Sequence, residues 1–340
     1  MTEKRVAIIG GGVAGMQMAI HLKERGANPV IIEREPTLGG KVAGWYVLFP
    51  TFTPAEQVVA PLKQRIAELG IEVMLDTTVT AIAPTCVTLQ HGQLLRCDAV
   101  ALCSGSTLFD ARIKEEYGYG IYDNVYTSAD LEQMMREGEV RMANGERPER
   151  IAILHCVGSR DEKVCQRHCS KVCCVTGVKQ AIELKRMMPQ AEVFNFYMDI
   201  RMFGPGYEEM YREAQVAHNV HFVRGRISEA SPLSEGRLQI KAEDTLTGRP
   251  LRMSVDILVL LIGMRGNDDN LPLATSAGIT LAENGFFHPR NHFLDNVESE
   301  RKGIFMAGTC SSPKSIGETL CEATTAAERI INYLNRSNKA

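Results

Sequence analysis

Long apolar runs are scarce in this sequence. The longest, near Ile257 to Ile262, is far short of the ~20 residues that a membrane-crossing helix needs. Charge of one sign is missing too: 38 Lys and Arg face 41 Asp and Glu, for a net charge of −3, so no basic field points to nucleic acid. There is a single tryptophan, Trp45, in the segment GWYVLFPTF. That segment reads either as a loop buried against the core or as a flavin-side or partner-facing surface. No export segment is recognisable, because MTEKRVAIIGGG runs straight into a strand pattern. Together these absences predict a soluble cytoplasmic protein.

What the sequence does contain is cysteine. Ten in a chain of 340 residues, without a leader, fit a reducing compartment and metal ligation better than disulfides. The length allows two domains, each with its own core. Five of the ten cysteines fall in IAILHCVGSRDEKVCQRHCSKVCCVTGVKQA, residues 151–181. Ile151 to Leu154 read as a buried strand of a parallel sheet. A charged loop follows, and a helical pattern is predicted from Ser170 to Met188, stopped by Pro189. Cys169 and Cys173, four apart, would then share a helix face, with Cys156 arriving from the strand end. Four thiolates suit a 4Fe–4S centre, and a helix N-terminus stabilises its negative charge. Structural zinc takes the same ligands, so spacing leaves both metals open. Cys165 reads as a loop thiol, and Cys86, Cys97 and Cys103 as core packing. Cys310 and Cys321, eleven apart, make no CxxC.

The other clear motif opens the chain. Val6 to Ile9 form a strand leading into Gly10-Gly11-Gly12-Val13-Ala14-Gly15 and a helix, the GxGxxG fingerprint in its strand–turn–helix setting. Gly10 permits the tight turn, Gly12 lets a pyrophosphate approach, and Gly15 allows close helix–strand contact. The next strand, PVIIE, ends at Glu33, placed to bind ribose hydroxyls. Gly39-Gly40-Lys41 follows and lets the chain pass close over a cofactor. A helix over 55–69, a hairpin at 86–98, and buried strands at 99–106, 256–262 and 303–309 complete the first domain. The predicted fold is α/β, with an FAD-binding domain from 1–112 and 252–340 and an inserted Rossmann-like domain at 113–251. In that insert, CVGSRDEKVCQRHC stands where a second GxGxxG or GxGxxA would seat a nicotinamide dinucleotide.

The fingerprint, the GGK and SGS segments, the cysteine stretch ending in CC-x4-KQA and the GT-x3-PKSI tail resemble the A subunit of heterodisulfide reductase. The most specific part is Cys156-x12-Cys169-x3-Cys173-Cys174 with Lys179. The resemblance implies a thioredoxin reductase-like fold, a homodimer, noncovalent FAD, and a 4Fe–4S cluster on Cys156, Cys169, Cys173 and Cys174. It places catalytic Lys179 near flavin N5. It assigns FAD to Gly10, Gly12, Val13, Ala14 and Gly15, to Glu33, Arg34, Gly39, Gly40 and Lys41, and to Thr78 and Val79. Ser104, Gly105, Gly308, Thr309, Ser315 and Ile316 complete that set. Most relatives carry Gly-Asp where this chain has Gly308-Thr309, so the aspartate that holds the ribityl chain in them is replaced here by threonine. The helix from about Ile316 is expected to aim its positive end at the flavin. The extra CxxCxxC motifs of the long methanogen-type subunits do not occur here, which points to short forms.

The expected function is electron relay between FAD and cluster in a heterodisulfide reductase-like complex of cytoplasmic sulfur oxidation, together with the other subunits of that complex. The alternatives are the A subunit of a quinone-interacting oxidoreductase, an NADPH-dependent disulfide reductase, and a zinc-stapled non-catalytic subunit. Arg160 is expected to compensate cluster charge or to lie on the surface.

Overall fold

The computed structural model describes residues 4–336. Residues 1–3 of the opening segment MTEKRVAIIGGG and residues 337–340 lie outside them. The chain forms two compact units: Met1–Ala43, Ala55–Thr107 and Arg265–Ala340 in one, Gly44–Pro54 and Leu108–Met264 in the other.

The first unit is built on a parallel five-stranded sheet. Its order is Ile304–Met306, Ala99–Leu102, Arg5–Ile9, Asn28–Ile32, Glu72–Met74. The inner strands are apolar along nearly their whole length and buried, as a sheet covered on both faces requires. Helices Val13–Glu24 and Ile316–Arg336 are tied by His21 to Glu328 at 2.7 Å and by Gln17 to Thr324 at 3.3 Å. A small antiparallel sheet, Val79–Ala83, Cys86–Leu89 and Leu94–Arg96, forms the expected hairpin region.

The second unit repeats the design. Its parallel sheet runs Val125–Thr127, Ile257–Ile262, Arg150–Val157, Glu192–Tyr197, His221–Arg224. Ile257–Ile262 therefore belongs to this sheet, and not to the first domain as its sequence suggested. Paired on both edges, by Val125–Thr127 and Arg150–Val157, its apolar run is that of an inner strand. The aromatic segment 44–54 also joins this unit, with Tyr46, Phe49 and Phe52 packed on its core. Phe52 lies under the Arg186 guanidinium at 3.9 Å, and Phe49 meets Tyr207 edge-on at 5.6 Å. An antiparallel meander, Ile227–Pro232, Leu238–Asp244 and Arg249–Val255, closes the unit. Among the described residues no helix is long and apolar enough to cross a membrane.

Candidate flavin cradle and cysteine cluster

In the first unit the glycine loop is a backbone-lined cradle. Gly10 has φ +108°, and a Cβ there would lie 2.3 Å from the Cys103 carbonyl oxygen. A Cβ on Gly15 would lie 1.9 Å from the Gly10 carbonyl oxygen, so the helix sits hard on the turn. Gly12 differs: its nearest neighbour would be the Gly40 Cα at 3.9 Å, and its side of the loop is open. The Gly39 N–H donates to the Gly11 carbonyl at 2.8 Å, which brings the Gly39-Gly40 turn alongside the fingerprint as expected.

Glu33 is buried, and its carboxylate accepts from the N–H of Gly11 at 2.5 Å and of Glu35 at 2.9 Å. Two bonds leave acceptor capacity for ribose hydroxyls. Arg34 pairs with Asp269 at 2.5 Å, and Lys41 is exposed. A Cβ on Gly308 would lie 2.9 Å from that of Ala14, and one on Gly105 would lie 3.7 Å from Thr309 Oγ1. The end of the Ala99–Leu102 strand and the Gly308-Thr309 turn therefore border the same loop, with Val13 and Ala14 buried beneath. Ser104 Oγ donates to Asn270 Oδ1 at 3.3 Å. A loop closed against a Cβ at Gly10, Gly11 and Gly15 and open at Gly12 fits the pyrophosphate of FAD.

Two expected contacts are already engaged. The N–H and carbonyl of Thr78 both bond Gln90, at 3.0 and 2.8 Å, and Val79 is buried opposite Leu89. Helix Ile316–Arg336 starts where expected, but Ser315 and Glu318 cap it reciprocally, at 2.9 and 3.3 Å. Its positive end is thus partly spent on its own acidic residue.

In the second unit the cysteines gather where strand Arg150–Val157 gives way to helix Cys173–Met187. The helix begins three residues later than predicted. Lys171 has φ +62°, which no right-handed helix accommodates, so Cys169 lies in the loop before it and shares no helix face with Cys173. The strand's pairing shifts register between Leu154 and Val157, and Cys156 inside this bulge has φ +62°. Among the described residues, four of the ten non-glycine residues with positive φ, Cys156, Arg160, Cys165 and Lys171, fall within 156–171. Such backbone strain concentrates at functional sites.

The loop is fastened at several points. Asp161, nearly fully buried, receives Lys114 Nζ at 2.9 Å and Arg226 Nη2 at 2.8 Å. Ser159 and Ser170 share a 2.5 Å hydroxyl contact, and Ser170 Oγ accepts the Met264 N–H at 2.8 Å.

Cys156, Cys173 and Cys174 are buried, and their thiols hydrogen-bond one another through Cys173. Its bonds to Cys156 and Cys174 push the Cys173 thiol well up. Its S–H draws Cys174 down to about 4, against burial and with help from His155, and draws Cys156 down to about 7. Cys169, half-buried, accepts the Lys171 N–H at 3.3 Å. The Arg160 guanidinium, bonded to Asp199 at 2.8 Å, lies in electrostatic reach of both Cys156 and Cys169, consistent with charge compensation. Helix Cys173–Met187 has no side-chain N-cap and no acid in its first turn. His155 Nδ1, Arg160 Nη1 and Asn195 Nδ2 around this segment are buried without a hydrogen-bond partner.

Among the described residues no group of three or more His, Cys, Asp or Glu side chains is arranged to hold a metal ion as it stands. The sulfur positions are those of thiols bonded to each other, and Cys169 stays apart. The chemistry of the donor set, with soft sulfurs, orphaned buried N–H groups and an uncapped helix start, fits an anionic iron–sulfur cluster. Cys165 is exposed, as a loop thiol should be.

Lys179 lies on helix Cys173–Met187. It is 2% exposed and paired with buried Glu132. Glu132 was missed in the sequence; its one signal was an acid on the amphipathic helix Ser128–Glu137, facing inward.

A parallel sheet in each unit and a dinucleotide loop in the first define a two-domain flavoprotein oxidoreductase. The family model for pyridine nucleotide-disulphide oxidoreductases matches residues 4–329, and the chain belongs to that family. Thioredoxin reductases of T. acidophilum and Lactococcus lactis share the fold, with TM-scores of 0.66 and 0.69 at 15% identity. The match covers 98% of this chain and 99% and 100% of theirs.

Within the family, the chain is similar to the iron-sulfur A subunit of the CoB–CoM heterodisulfide reductase of Methanocaldococcus jannaschii, at 30% identity over 96% of this chain. It is equally similar, at 30% over 96%, to the A subunit of the H(2)/formate:CoB-CoM heterodisulfide,ferredoxin reductase of Methanococcus maripaludis. The resemblance read from the motifs is thus borne out. The chain spans 64% of the length of each of these two relatives.

Proposed function

We propose that this chain is an FAD- and 4Fe–4S-containing electron-transfer subunit of a heterodisulfide reductase-like complex, working as a cytoplasmic homodimer in sulfur oxidation. The observation that carries the reading is the meeting of Cys156, Cys173 and Cys174 at an uncapped helix start. When bound, FAD supplies a two-electron carrier and the cluster a one-electron carrier. The Gly10–Gly15 loop holds the pyrophosphate and Glu33 the adenosine ribose. Cys156, Cys169, Cys173 and Cys174 ligate the cluster, and Arg160 offsets its charge. Lys179, paired with Glu132, is the residue that the resemblance assigns to the flavin.

Anaerobic purification followed by flavin, iron and acid-labile sulfide assays tests the reading, with EPR after dithionite reduction. One FAD and about four iron atoms per chain are expected. Zinc without iron or sulfide would refute it.

Likeness to thioredoxin reductases favours one rival, an NADPH-dependent disulfide reductase. That rival needs an accessible redox dithiol. In the first unit, burial pushes the Cys310 thiol up to about 12 and the Cys103 thiol well above its ordinary value. Rapid flavin bleaching by NADPH would favour the rival.

A further inference from the structure

We propose that Lys314, neutralised by Glu322, is a positioning residue for the flavin: its ammonium clamps the Gly308-Thr309 turn in the place where that turn receives the ribityl chain. The inference rests on the FAD reading above and adds two residues outside the set assigned to the cofactor. The loop between strand Ile304–Met306 and helix Ile316–Arg336 winds round this one cation. Lys314 Nζ donates to Ser311 Oγ and Ser312 Oγ, each at 2.8 Å, and to the Gly308 carbonyl at 3.1 Å. An ammonium has three N–H bonds, and the loop itself supplies an oxygen for each. Glu322, from the helix that follows, supplies the opposite charge: its Oε2 lies 3.4 Å from Lys314 Nζ, with the two side chains 13% and 9% exposed. Lysine is seldom so enclosed unless it is paired.

The clamp grips Gly308 from both sides. Its N–H donates to Glu322 Oε2 at 2.7 Å, and its carbonyl accepts from Lys314. Gly308 has φ +80°, and a Cβ there would lie 2.9 Å from that of Ala14 in the fingerprint loop. The backbone of the turn therefore presses directly on the cradle, and only glycine fits there. Thr309 comes next, beside Gly105 at the end of the neighbouring strand. Its side chain is β-branched and carries one hydroxyl, so it has little freedom to seek a partner by changing rotamer. The position of its Oγ1 is decided by the backbone of the turn, and hence by Lys314 and Glu322. A turn already fixed in the bound arrangement need not be ordered when the cofactor arrives, which strengthens binding.

The test is a binding titration on the flavin-free full chain, comparing wild type with Lys314→Met, Lys314→Met/Glu322→Gln and Ser311→Ala/Ser312→Ala. Two probes are used: FAD, followed by fluorescence, and ADP, followed by calorimetry. ADP carries the adenosine and the pyrophosphate but no ribityl chain. FAD affinity should fall about tenfold in both lysine variants and by less in the serine variant, while ADP affinity stays within about twofold of wild type. Unchanged FAD affinity in the lysine variants overturns the proposal. So does an equal fall for FAD and ADP, the mark of a merely structural role. Lys314→Met strands the Glu322 carboxylate, and where it fails to fold the double and serine variants decide by the same comparison. A wild type that does not take up FAD ends the flavin reading itself, and its titration, run first, separates that outcome from the others.

Discussion

The Lys179 ammonium and the Glu132 carboxylate form an ion pair with 2% and 6% of their residues' surface exposed. Gln180 Nε2 and the Tyr46 N–H donate to the same carboxylate, at 2.8 and 3.2 Å. The pair therefore fastens helix Cys173–Met187 to helix Ser128–Glu137 and to the aromatic segment 44–54. Three donors to the one carboxylate offset part of the cost of burying the two charges.

Removing one partner leaves the other uncompensated. Lys179→Met should lower unfolding free energy by about 3–5 kcal/mol. The double variant Lys179→Met/Glu132→Gln should recover most of that loss. Urea unfolding followed by circular dichroism compares the three proteins. Equal stability of the single variant and wild type would show that the pair is not formed in solution.

The two ends of the glycine loop should respond differently. Gly15→Ala puts a methyl 1.9 Å from the Gly10 carbonyl oxygen and should destabilise the fold whether or not cofactor is present. Gly12→Ala meets nothing closer than 3.9 Å, so the apoprotein should melt like wild type. Its methyl enters the space assigned to the pyrophosphate, and FAD affinity should fall at least tenfold, about 1.4 kcal/mol. Thermal melts and flavin retention on gel filtration read the two effects separately.

Cysteine replacements should sort by position. Cys156→Ser, Cys173→Ser and Cys174→Ser should each abolish or sharply lower iron content. Cys169→Ser tests the one ligand that the fold leaves apart. Cys165→Ser, at an exposed site, should retain wild-type iron. Iron and sulfide per flavin is the measurement, and a full complement in Cys174→Ser would remove that residue from the ligand set.

Asp161 gives the loop a pH dependence. Burial works against its charge, but hydrogen bonds from Lys114 and Arg226 outweigh this and hold its carboxyl below the usual carboxylate range. A folded pKa below the unfolded ~3.9 means that stability is present above that pH and lost as pH falls through the folded value. Asp161→Asn should thus cost about 2 kcal/mol at pH 7 by weakening two charged hydrogen bonds, since Lys114 keeps Glu116 at 2.7 Å. The gap to wild type should narrow below about pH 4. Melting temperatures of both proteins across pH 3–8 check the sign.

The first unit was largely legible because its signals are local. The strand, glycine loop, helix and Glu33 follow one another within thirty residues. What escaped depends on partners distant in sequence. Ile257–Ile262 is apolar enough for either sheet, and only its pairing with Arg150–Val157 decides. The late start of helix Cys173–Met187 turns on the backbone of Lys171, a residue type that gives no warning of a left-handed conformation. The Lys179–Glu132 pair had no local signal, because its two residues lie 47 positions apart. The bulge at Cys156 had no signal in composition at all.

That bulge ties redox chemistry to architecture. Cys156 lies in the strand that pairs with both Glu192–Tyr197 and Ile257–Ile262. Oxygen damage at its sulfur would therefore not stay a local lesion: the inner ladder of the sheet would loosen, and amide deuterium uptake along both neighbours would quicken. Loss of the inorganic partner proposed for Cys156 would thus be felt through the backbone, and proteases would then meet a looser sheet than in an intact copy.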